Sequence, residues 1–204
     1  IGGHIVLAAD KLTDTRATID SAQADLFYKS VFCLTPSADL DEKAIETAVS
    51  LGRLLGATPY FLEPEEFDHL LQGVETVPGL LAAAMFSVVE NAGGGRDMLR
   101  FAGQSFAQTV QPLEKSNDIA NMAIRNQAAT LRWLDALIVE LGTIRGWVAD
   151  GETDLMDSAF DGLDIKRAEW LQERAKNQWG GEEEDPIESP SIMKHLFGNF
   201  GKKK

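Results

Sequence analysis

Two arginines spaced four residues apart are the side chains whose type and position most directly suggest chemistry. Arg96 and Arg100 follow three consecutive glycines, Gly93 to Gly95. On a helix this spacing places both guanidinium groups on one face. Arginine in a first helical turn opposes the helix dipole, so the pair predicts a bound anion beside free backbone N–H groups. The alternative is a flexible turn followed by a solvated helix face, and this stretch alone leaves both hypotheses open.

The overall charge of the protein argues against some classes of binding partner. The 204 residues carry a formal net charge of −13, and the pI is near 4.6. Binding to nucleic acid or to an acidic membrane surface requires a basic footprint, so neither is predicted. A small anionic ligand remains compatible with this charge, because a local arginine pair acts inside an acidic protein. The length suffices for one large or two small domains with a core.

The single cysteine indicates the compartment. Cys33 lies in an apolar, strand-like run, which predicts a buried thiol without a disulfide framework and a cytoplasmic location. No apolar run approaches the ~20 residues of a membrane span, and no signal peptide is visible. No metal site is predicted. Because Ile1 is not a natural start, we expect further residues upstream.

Residues 1–62 read as a piece of an α/β domain. The pattern predicts strands near 1–9, Val31–Leu34 and Thr58–Leu62, with a helix over Asp41–Leu55 and weak helical character over 14–24. Strand, helix and strand with short connections are typical of a parallel α/β unit. No glycine-rich phosphate turn follows a strand, so residues that bind a cofactor cannot be assigned.

Residues 63–179 have a helical texture. Pro64 is suited to a first helical position, and Pro78 is expected to kink the helix that follows. The apolar stripe of 116–147 predicts one helix of roughly 45 Å at ~1.5 Å per residue. This length exceeds the diameter of a small domain, which favours a dimer over a long surface helix within a monomer.

The end of the chain completes the domain prediction. A last helical segment, or two segments broken near Gly162, is expected over 152–178, and 180–204 reads as linker and tail. The predicted fold class is therefore α+β and mainly α: a residual three-strand α/β piece, 1–62, precedes an all-helical dimerisation domain, 63–179.

Several motifs in this order resemble the prephenate dehydrogenase family, which includes the arogenate dehydrogenases. The first is Gly2-Gly3-His4, which looks like the family's Gly-Gly-His segment. The other matching segments are Ala24-Asp25-Leu26-Phe27, Leu34-Thr35-Pro36, Phe67-Asp68, 75–82, the triple glycine with Arg96-Asp97 and Arg100, Asp118-Ile119, and Asn126. The resemblance covers about residues 1–175. No single motif is decisive, but together they are moderately specific.

The resemblance implies an NAD- or NADP-dependent oxidative decarboxylation in tyrosine biosynthesis, carried out by a homodimer. It assigns acceptance of the substrate hydroxyl proton to His4 and binding of a substrate carboxylate to Arg100. Arg96 falls on a basic position of the same motif, and Asp10 falls on an acidic position at the site entrance. The substrate would be a small dicarboxylate. Because the phosphate-binding half is missing, this chain alone is expected to be inactive and to bind no nicotinamide nucleotide tightly.

Two departures from the family pattern support other hypotheses. Thr76 stands where the family has a substrate-facing histidine, and Gly79 replaces a second histidine. Thr76 can donate a hydrogen bond but does not titrate near neutrality. The alternative function is therefore a non-catalytic dimerisation or small-anion-sensing module derived from the family. A third hypothesis is a helical domain of another 2-hydroxyacid or phosphogluconate-type dehydrogenase, but the lysine motif expected there is absent from the sequence.

Overall fold

A mixed three-stranded sheet forms the N-terminal part of the protein. The computed structural model describes residues 1–12, 19, 22–39 and 41–176. The strands are β1 (Gly2–Val6), β2 (Val31–Thr35) and β3 (Thr58–Phe61), in the order β1-β2-β3. Most of the predicted helical stretch at 14–24 and the predicted tail at 180–204 lie outside the described residues.

The predicted parallel unit is confirmed. β2 leads through helix α1 (Glu42–Leu54) to β3, and the two strands are parallel with Val31 opposite Thr58. Asp41 caps the helix by accepting a hydrogen bond from the Lys43 backbone N–H at 3.1 Å. Gly56 ends it in the left-handed conformation, at φ 74°.

β1 extends the sheet on the other side of β2. It runs antiparallel, with His4 opposite Cys33 and Val6 opposite Val31. In β3, the buried Pro59 stands opposite Phe32. The backbone N–H groups of Thr58 and Leu62 donate to carbonyls of the β2 segment, at 2.8 and 3.1 Å. The sheet is thus built around β2, whose Cys33 and Leu34 are buried.

The remainder of the described chain is helical. The elements after the sheet are α2 (Pro64–Leu71), a π-helical turn (Gln72–Thr76), α3 (Val77–Glu90), α4 (Gly95–Phe101), α5 (Gln104–Val110), a 3₁₀ turn (Gln111–Lys115), α6 (Ser116–Arg125), α7 (Gln127–Asp150) and α8 (Thr153–Lys176). A further 3₁₀ turn, Ala9–Lys11, follows β1. The predicted class, α+β and mainly α, is confirmed. Pro64 occupies the first position of α2, as predicted.

The helix that contains Pro78 is interrupted immediately before the proline. Proline has no N–H to donate to the carbonyl four residues earlier, so regular α-helical bonding fails in this turn. The chain adopts the π-helical turn Gln72–Thr76 there, and α3 begins at Val77. A π-turn places an extra residue in the helix and frequently marks a functional position.

The prediction of one helix over 116–147 is wrong. The helix breaks at Asn126, whose φ of −111° and ψ of 49° are not helical. The hydroxyl of Thr130 lies 3.0 Å from the carbonyl oxygens of Ala123 and Asn126, so a side-chain donor is available to the Ala123 carbonyl at the break, while the Asn126 carbonyl still accepts from the Thr130 N–H. The longer piece, α7, has 24 residues and spans roughly 36 Å. The argument for a dimer from a 45 Å helix therefore loses its premise.

The last helix is continuous. α8 passes through Gly162 without a break, so of the two predicted arrangements the single helix is observed. It packs against α7 and against the turn Ala9–Lys11. Large apolar side chains stay exposed along α7 and α8, among them Ile138, Val139, Leu141, Val148, Leu155, Leu163 and Ile165.

One helical stretch is long and apolar enough to cross a membrane by length and composition. It is Pro64–Glu90, and the expectation that no run reaches this length is corrected accordingly. The sequence pattern does not indicate a single apolar run here, because the polar residues Gln72, Glu75 and Thr76 interrupt it. A core helix of a globular protein meets the same criteria; in this stretch Gln72 and Thr76 are fully buried, but only 28% of the most apolar window is.

Candidate functional site

His4 lies in the middle of β1 and faces the helical part of the protein. Its imidazole is half-buried, and its ring centroid is 5.6 Å from that of Phe67 in α2, with the planes tilted by 57°. In the described part of the chain, no hydrogen bond or ion pair reaches the imidazole. Its nitrogens are therefore available to a ligand, as a proton acceptor requires.

Asp10 lies in the 3₁₀ turn that follows β1. Its carboxylate is exposed and stands 4.0 Å from the Lys11 ammonium group. The Lys11 side chain is only 18% exposed and also donates to the side-chain oxygen of Gln23. Asp10 is thus held within a few residues of His4, at the surface of the same segment.

The triple glycine forms a tight turn between α3 and α4. Gly94 has φ 88°, in the left-handed region that favours glycine. A side chain at Gly95 would come within 2.7 Å of the Glu90 carbonyl oxygen and closer still to that of Val89. Two of the three glycines are therefore required by the turn itself, whatever the turn binds.

The two arginines project from α4 into solvent. Arg100 forms an ion pair with Asp97 at 3.4 Å, and both side chains are more than 70% exposed, at 71% and 72%. An exposed pair of this kind contributes only about 0–1 kcal/mol, so the guanidinium can exchange Asp97 for a ligand carboxylate. Arg96 is exposed in the first turn of the same helix.

Thr76 belongs to a buried polar cluster centred on the π-turn. Gln72 and Thr76 are fully buried, and neither the Gln72 amide nitrogen nor the Thr76 hydroxyl has a hydrogen-bond partner among the described residues. The Thr130 hydroxyl of α7 lies 3.0 Å from the Gln72 side-chain oxygen. Buried polar groups are nearly always hydrogen-bonded, so these two groups are among the exceptions in the described part of the chain.

Gly79 allows α3 and α6 to approach closely. A Cβ atom at this position would come within 2.7 Å of Cγ1 of Ile119 and closer still to its Cδ1. A histidine therefore has no room at position 79 while isoleucine occupies position 119. The departure from the family pattern at Gly79 is coupled to the packing of these two helices.

The described contacts divide the predicted site residues into two groups. His4 and Asp10 belong to the β1 segment, whereas Arg96 and Arg100 belong to α4, which packs on α3. In the part of the chain that the structure describes, no hydrogen bond, ion pair or ring contact joins His4 to Arg100. That His4 and Arg100 act on one substrate is what the resemblance implies, and it stays a prediction.

The described residues do not fit the pyrophosphate of a nicotinamide nucleotide. Such a group binds at a helix N-terminus that follows a strand. Here α1 starts at the Asp41 carboxylate, which already accepts from the Lys43 N–H, and Glu42 follows it. The first turn of α2 likewise contains Glu65 and Glu66. These acids repel a pyrophosphate at both positions.

Metal binding finds no support among the described residues either. Nowhere in residues 1–12, 22–39 and 41–176 are three or more His, Cys, Asp or Glu side chains grouped so as to hold a metal ion. Cys33 is buried and free, and burial raises the pKa of its thiol.

Several polar residues of structural interest gave no signal in the sequence. His69 stacks on Trp133 with centroids 5.9 Å apart, and its Nδ1 lies 3.1 Å from a guanidinium nitrogen of Arg132. Arg174 in α8 donates to the backbone carbonyl of Leu7 at 2.5 Å, and burial lowers the pKa of its guanidinium. Gln72 of the buried polar cluster is different, because an amide within an otherwise apolar helix is visible in the sequence.

Comparison with solved structures identifies the fold. The chain is similar to arogenate dehydrogenase from Synechocystis, with a TM-score of 0.67 and 20% identity, over 83% of this chain and 60% of that one. It is similar to prephenate dehydrogenase from A. aeolicus in complex with hydroxyphenyl propionate and NAD+, with a TM-score of 0.67 and 16% identity, over 82% and 58%.

A third structure agrees. It is a putative prephenate dehydrogenase from Corynebacterium glutamicum, with a TM-score of 0.59 and 17% identity, over 82% of this chain and 54% of that one. The chain thus spans 54–60% of the length of these structures. No protein-family model matches it, and no curated protein matches it by sequence. The chain has the fold of part of the prephenate and arogenate dehydrogenases.

Proposed function

We propose that this chain is part of a prephenate dehydrogenase-like oxidoreductase that carries out NAD(P)-dependent oxidative decarboxylation of prephenate or arogenate. The observation that carries the proposal is the fold likeness over 82–83% of the chain to dehydrogenases of this type. The motifs quoted above fall in the same order along this fold. The nucleotide is held by residues outside this chain, because both helices that follow strands here begin with acids.

In this proposal, His4 accepts the proton of the ring hydroxyl. An imidazole that has no hydrogen-bond partner among the described residues is free to accept this proton. Arg100 binds a substrate carboxylate through its planar guanidinium, replacing the exposed ion pair with Asp97. Arg96 adds positive charge to the same helix, Asp10 lies at the entrance, and Thr76 stands at the substrate-facing position.

The test uses the protein together with its upstream residues. Hydride transfer is followed with prephenate and with arogenate in the wild type, His4→Asn and a control, His69→Asn. We expect His4→Asn to lower kcat by about 10²-fold or more, because a general base contributes on this scale. His69→Asn should retain activity, because its imidazole bonds to Arg132 on the surface of α7. Full activity in His4→Asn would contradict the assignment.

A second measurement addresses the carboxylate. Arg100→Met should raise the KM for substrate, since its bidentate contact is lost, while Arg125→Met in the last turn of α6 should not. Equal KM values in Arg100→Met and the wild type would exclude Arg100 from substrate binding.

The proposal that the nucleotide is held by residues outside this chain is tested by titrating NAD or NADP into residues 1–204 alone. We expect no binding at micromolar concentrations, because acids occupy the starts of α1 and α2. Micromolar affinity would show that this chain binds the nucleotide itself.

We also infer that a second copy of the chain covers the exposed apolar faces of α7 and α8. Ile138, Leu141 and Val148 are each at least half-exposed on α7. Exposed apolar surface of this kind marks a protein interface. Light scattering is expected to give about twice the 22.3 kDa of the chain. Ile138→Lys with Leu141→Lys should give the monomer, and Leu54→Lys on α1 should not.

The alternative is a non-catalytic dimerisation or small-anion-sensing module. It is favoured by Thr76, which is buried, and by Gly79, where Ile119 fills the space of a histidine. The two functions are separated by the turnover assay. A folded dimer that includes the upstream residues but turns over neither substrate would support the module and contradict the dehydrogenase.

A further inference from the structure

The end of β1 presents a backbone carbonyl that the sheet does not satisfy. The last pair of the β1–β2 ladder is Val6 opposite Val31, so Leu7 would next face Ser30. Both backbone groups of Ser30 are already engaged: its N–H donates to Phe27 at 3.1 Å, and its carbonyl accepts from Thr58 at 2.8 Å. The Leu7 carbonyl therefore needs a donor from elsewhere.

Arg174 supplies that donor from the far end of α8. Its guanidinium donates to the Leu7 carbonyl at 2.5 Å, across 167 residues of sequence. α8 leaves α7 near Thr153 and reaches Arg174 roughly 32 Å later, at ~1.5 Å per residue. Besides α7, α8 packs against the turn Ala9–Lys11. Between these ends, Leu163, Ile165 and Trp170 are exposed.

The turn Ala9–Lys11 is also held by the side chain of its own lysine, Lys11. The Lys11 side chain, mostly buried, donates to Gln23 and lies near Asp10. The backbone N–H groups of Lys11 and Leu12 donate to Ala8 and Ala9, at 3.0 and 3.3 Å, and close the turn. These bonds fix residues 8–12, which include Asp10, whereas His4 lies upstream of them in β1.

We propose that Arg174 is a positioning residue: by bonding to Leu7 it ties the last helix to the segment between His4 and Asp10 and sets the geometry of both. The part of this inference that concerns catalysis rests on the proposed function, whereas the mechanical tie does not. A charge-assisted hydrogen bond from a half-buried arginine is among the stronger tethers available to a helix end. Loss of this bond should release the end of α8 together with the turn Ala9–Lys11 that the helix packs against.

The mechanical tie is tested by hydrogen exchange on residues 1–204. We compare the wild type with Arg174→Met, Arg174→Lys and the matched control Arg167→Met, an exposed arginine on the same helix. In Arg174→Met the amides of Lys11 and Leu12 should exchange about tenfold faster or more, with β2 unchanged. Arg174→Lys keeps a charged donor, so its exchange rates at Lys11 and Leu12 should lie between those of the wild type and Arg174→Met. The exchange rates of Arg167→Met should match those of the wild type.

Two results would overturn the tie. Unchanged exchange at Lys11 and Leu12 in Arg174→Met would show that the bond does not hold the turn. Equal acceleration in β2 and α7 would show that Arg174 supports the fold as a whole and has no particular effect on this segment.

The catalytic consequence is tested in the protein that includes the upstream residues. Arg174→Met should lower kcat about tenfold or more with the KM for substrate nearly unchanged, because it loosens the end of the strand that carries His4 and leaves Arg100, the proposed carboxylate ligand, in place. Arg174→Lys should recover part of kcat. A rise in KM alone, or no change in kcat, would contradict a positioning role. If the wild type has no turnover, the proposed function fails while the exchange result still decides the tie.

Discussion

The packing of Gly79 against Ile119 permits a quantitative test of the junction between α3 and α6. Replacing Gly79 by alanine places a Cβ atom 2.7 Å from Cγ1 and 3.0 Å from Cγ2 of Ile119, and closer still to Cδ1. Favourable carbon–carbon contacts begin at about 3.5 Å, so the isoleucine must leave its rotamer or the helices must separate.

Two opposing terms determine the size of the effect. Overpacking of this kind costs about 1–3 kcal/mol. Alanine in a helix interior recovers about 1 kcal/mol relative to glycine. The net expectation for Gly79→Ala is a loss of about 1 kcal/mol in the free energy of unfolding, or about 2–4 °C in Tm for a chain of this size.

The assay is urea unfolding followed by fluorescence and circular dichroism in a four-variant cycle. Ile119→Val removes the Cδ1 atom that clashes most and should alone cost about 0.5–1.5 kcal/mol. Combined with Gly79→Ala, it should cost at least about 0.5 kcal/mol less than the sum of the single changes. Gly142→Ala in α7, where no atom lies within 4 Å of the added Cβ, serves as the control and should stabilise.

The reasoning fails if Gly79→Ala stabilises as Gly142→Ala does, or if the two changes are additive. The same geometry predicts that Gly79→His, which restores the family residue, cannot be accommodated without a smaller side chain at position 119.

Three further predictions concern buried groups and backbone conformation. Thr130→Val should lower the free energy of unfolding by about 1–3 kcal/mol, because it removes the one hydroxyl proton that lies within bonding distance of the Gln72 oxygen and of the Ala123 and Asn126 carbonyls; an unchanged urea midpoint would contradict this. Since burial raises the pKa of Cys33 above its ordinary value of 9.0, the unfolded chain loses this proton first, and stability should fall as pH rises past 9.0. Cys33→Ala should lack this slope, and equal slopes would refute it. Lys29→Gly should raise stability by about 1 kcal/mol or less, because Lys29 has φ 59°; a lower Tm would argue against strain there.

The sequence predicted the elements whose signals are local. The unit from β2 through α1 to β3 followed from a β-branched run, an acidic cap and a terminal glycine, and each occurs where expected. The α6–α7 helix was predicted as one piece because its apolar period continues through Asn126. At the break the hydroxyl of Thr130 lies beside two backbone carbonyls, and periodicity contains no information about such a contact.

The candidate site was predictable only as a set of residue types. The glycines before α4 and the ion pair between Asp97 and Arg100 are local features. From the sequence, this stretch was compatible with both a flexible turn and a ligand site. The contact of Arg174 with Leu7 joins residues 167 positions apart, and no sequence pattern marks it. Which residues converge is set by tertiary packing, as expected for long-range contacts.

The proline in β3 determines the direction in which the sheet can grow. Thr58 and Leu62 direct their N–H groups toward β2, so alternation along the strand directs the nitrogen of Pro59 outward, where it has no proton to give. The outer edge of β3 is therefore a poor template for another strand, which protects this side from edge-to-edge aggregation. Among the described strands, β1 keeps the open edge, so any strand added by this chain or by another joins beside His4.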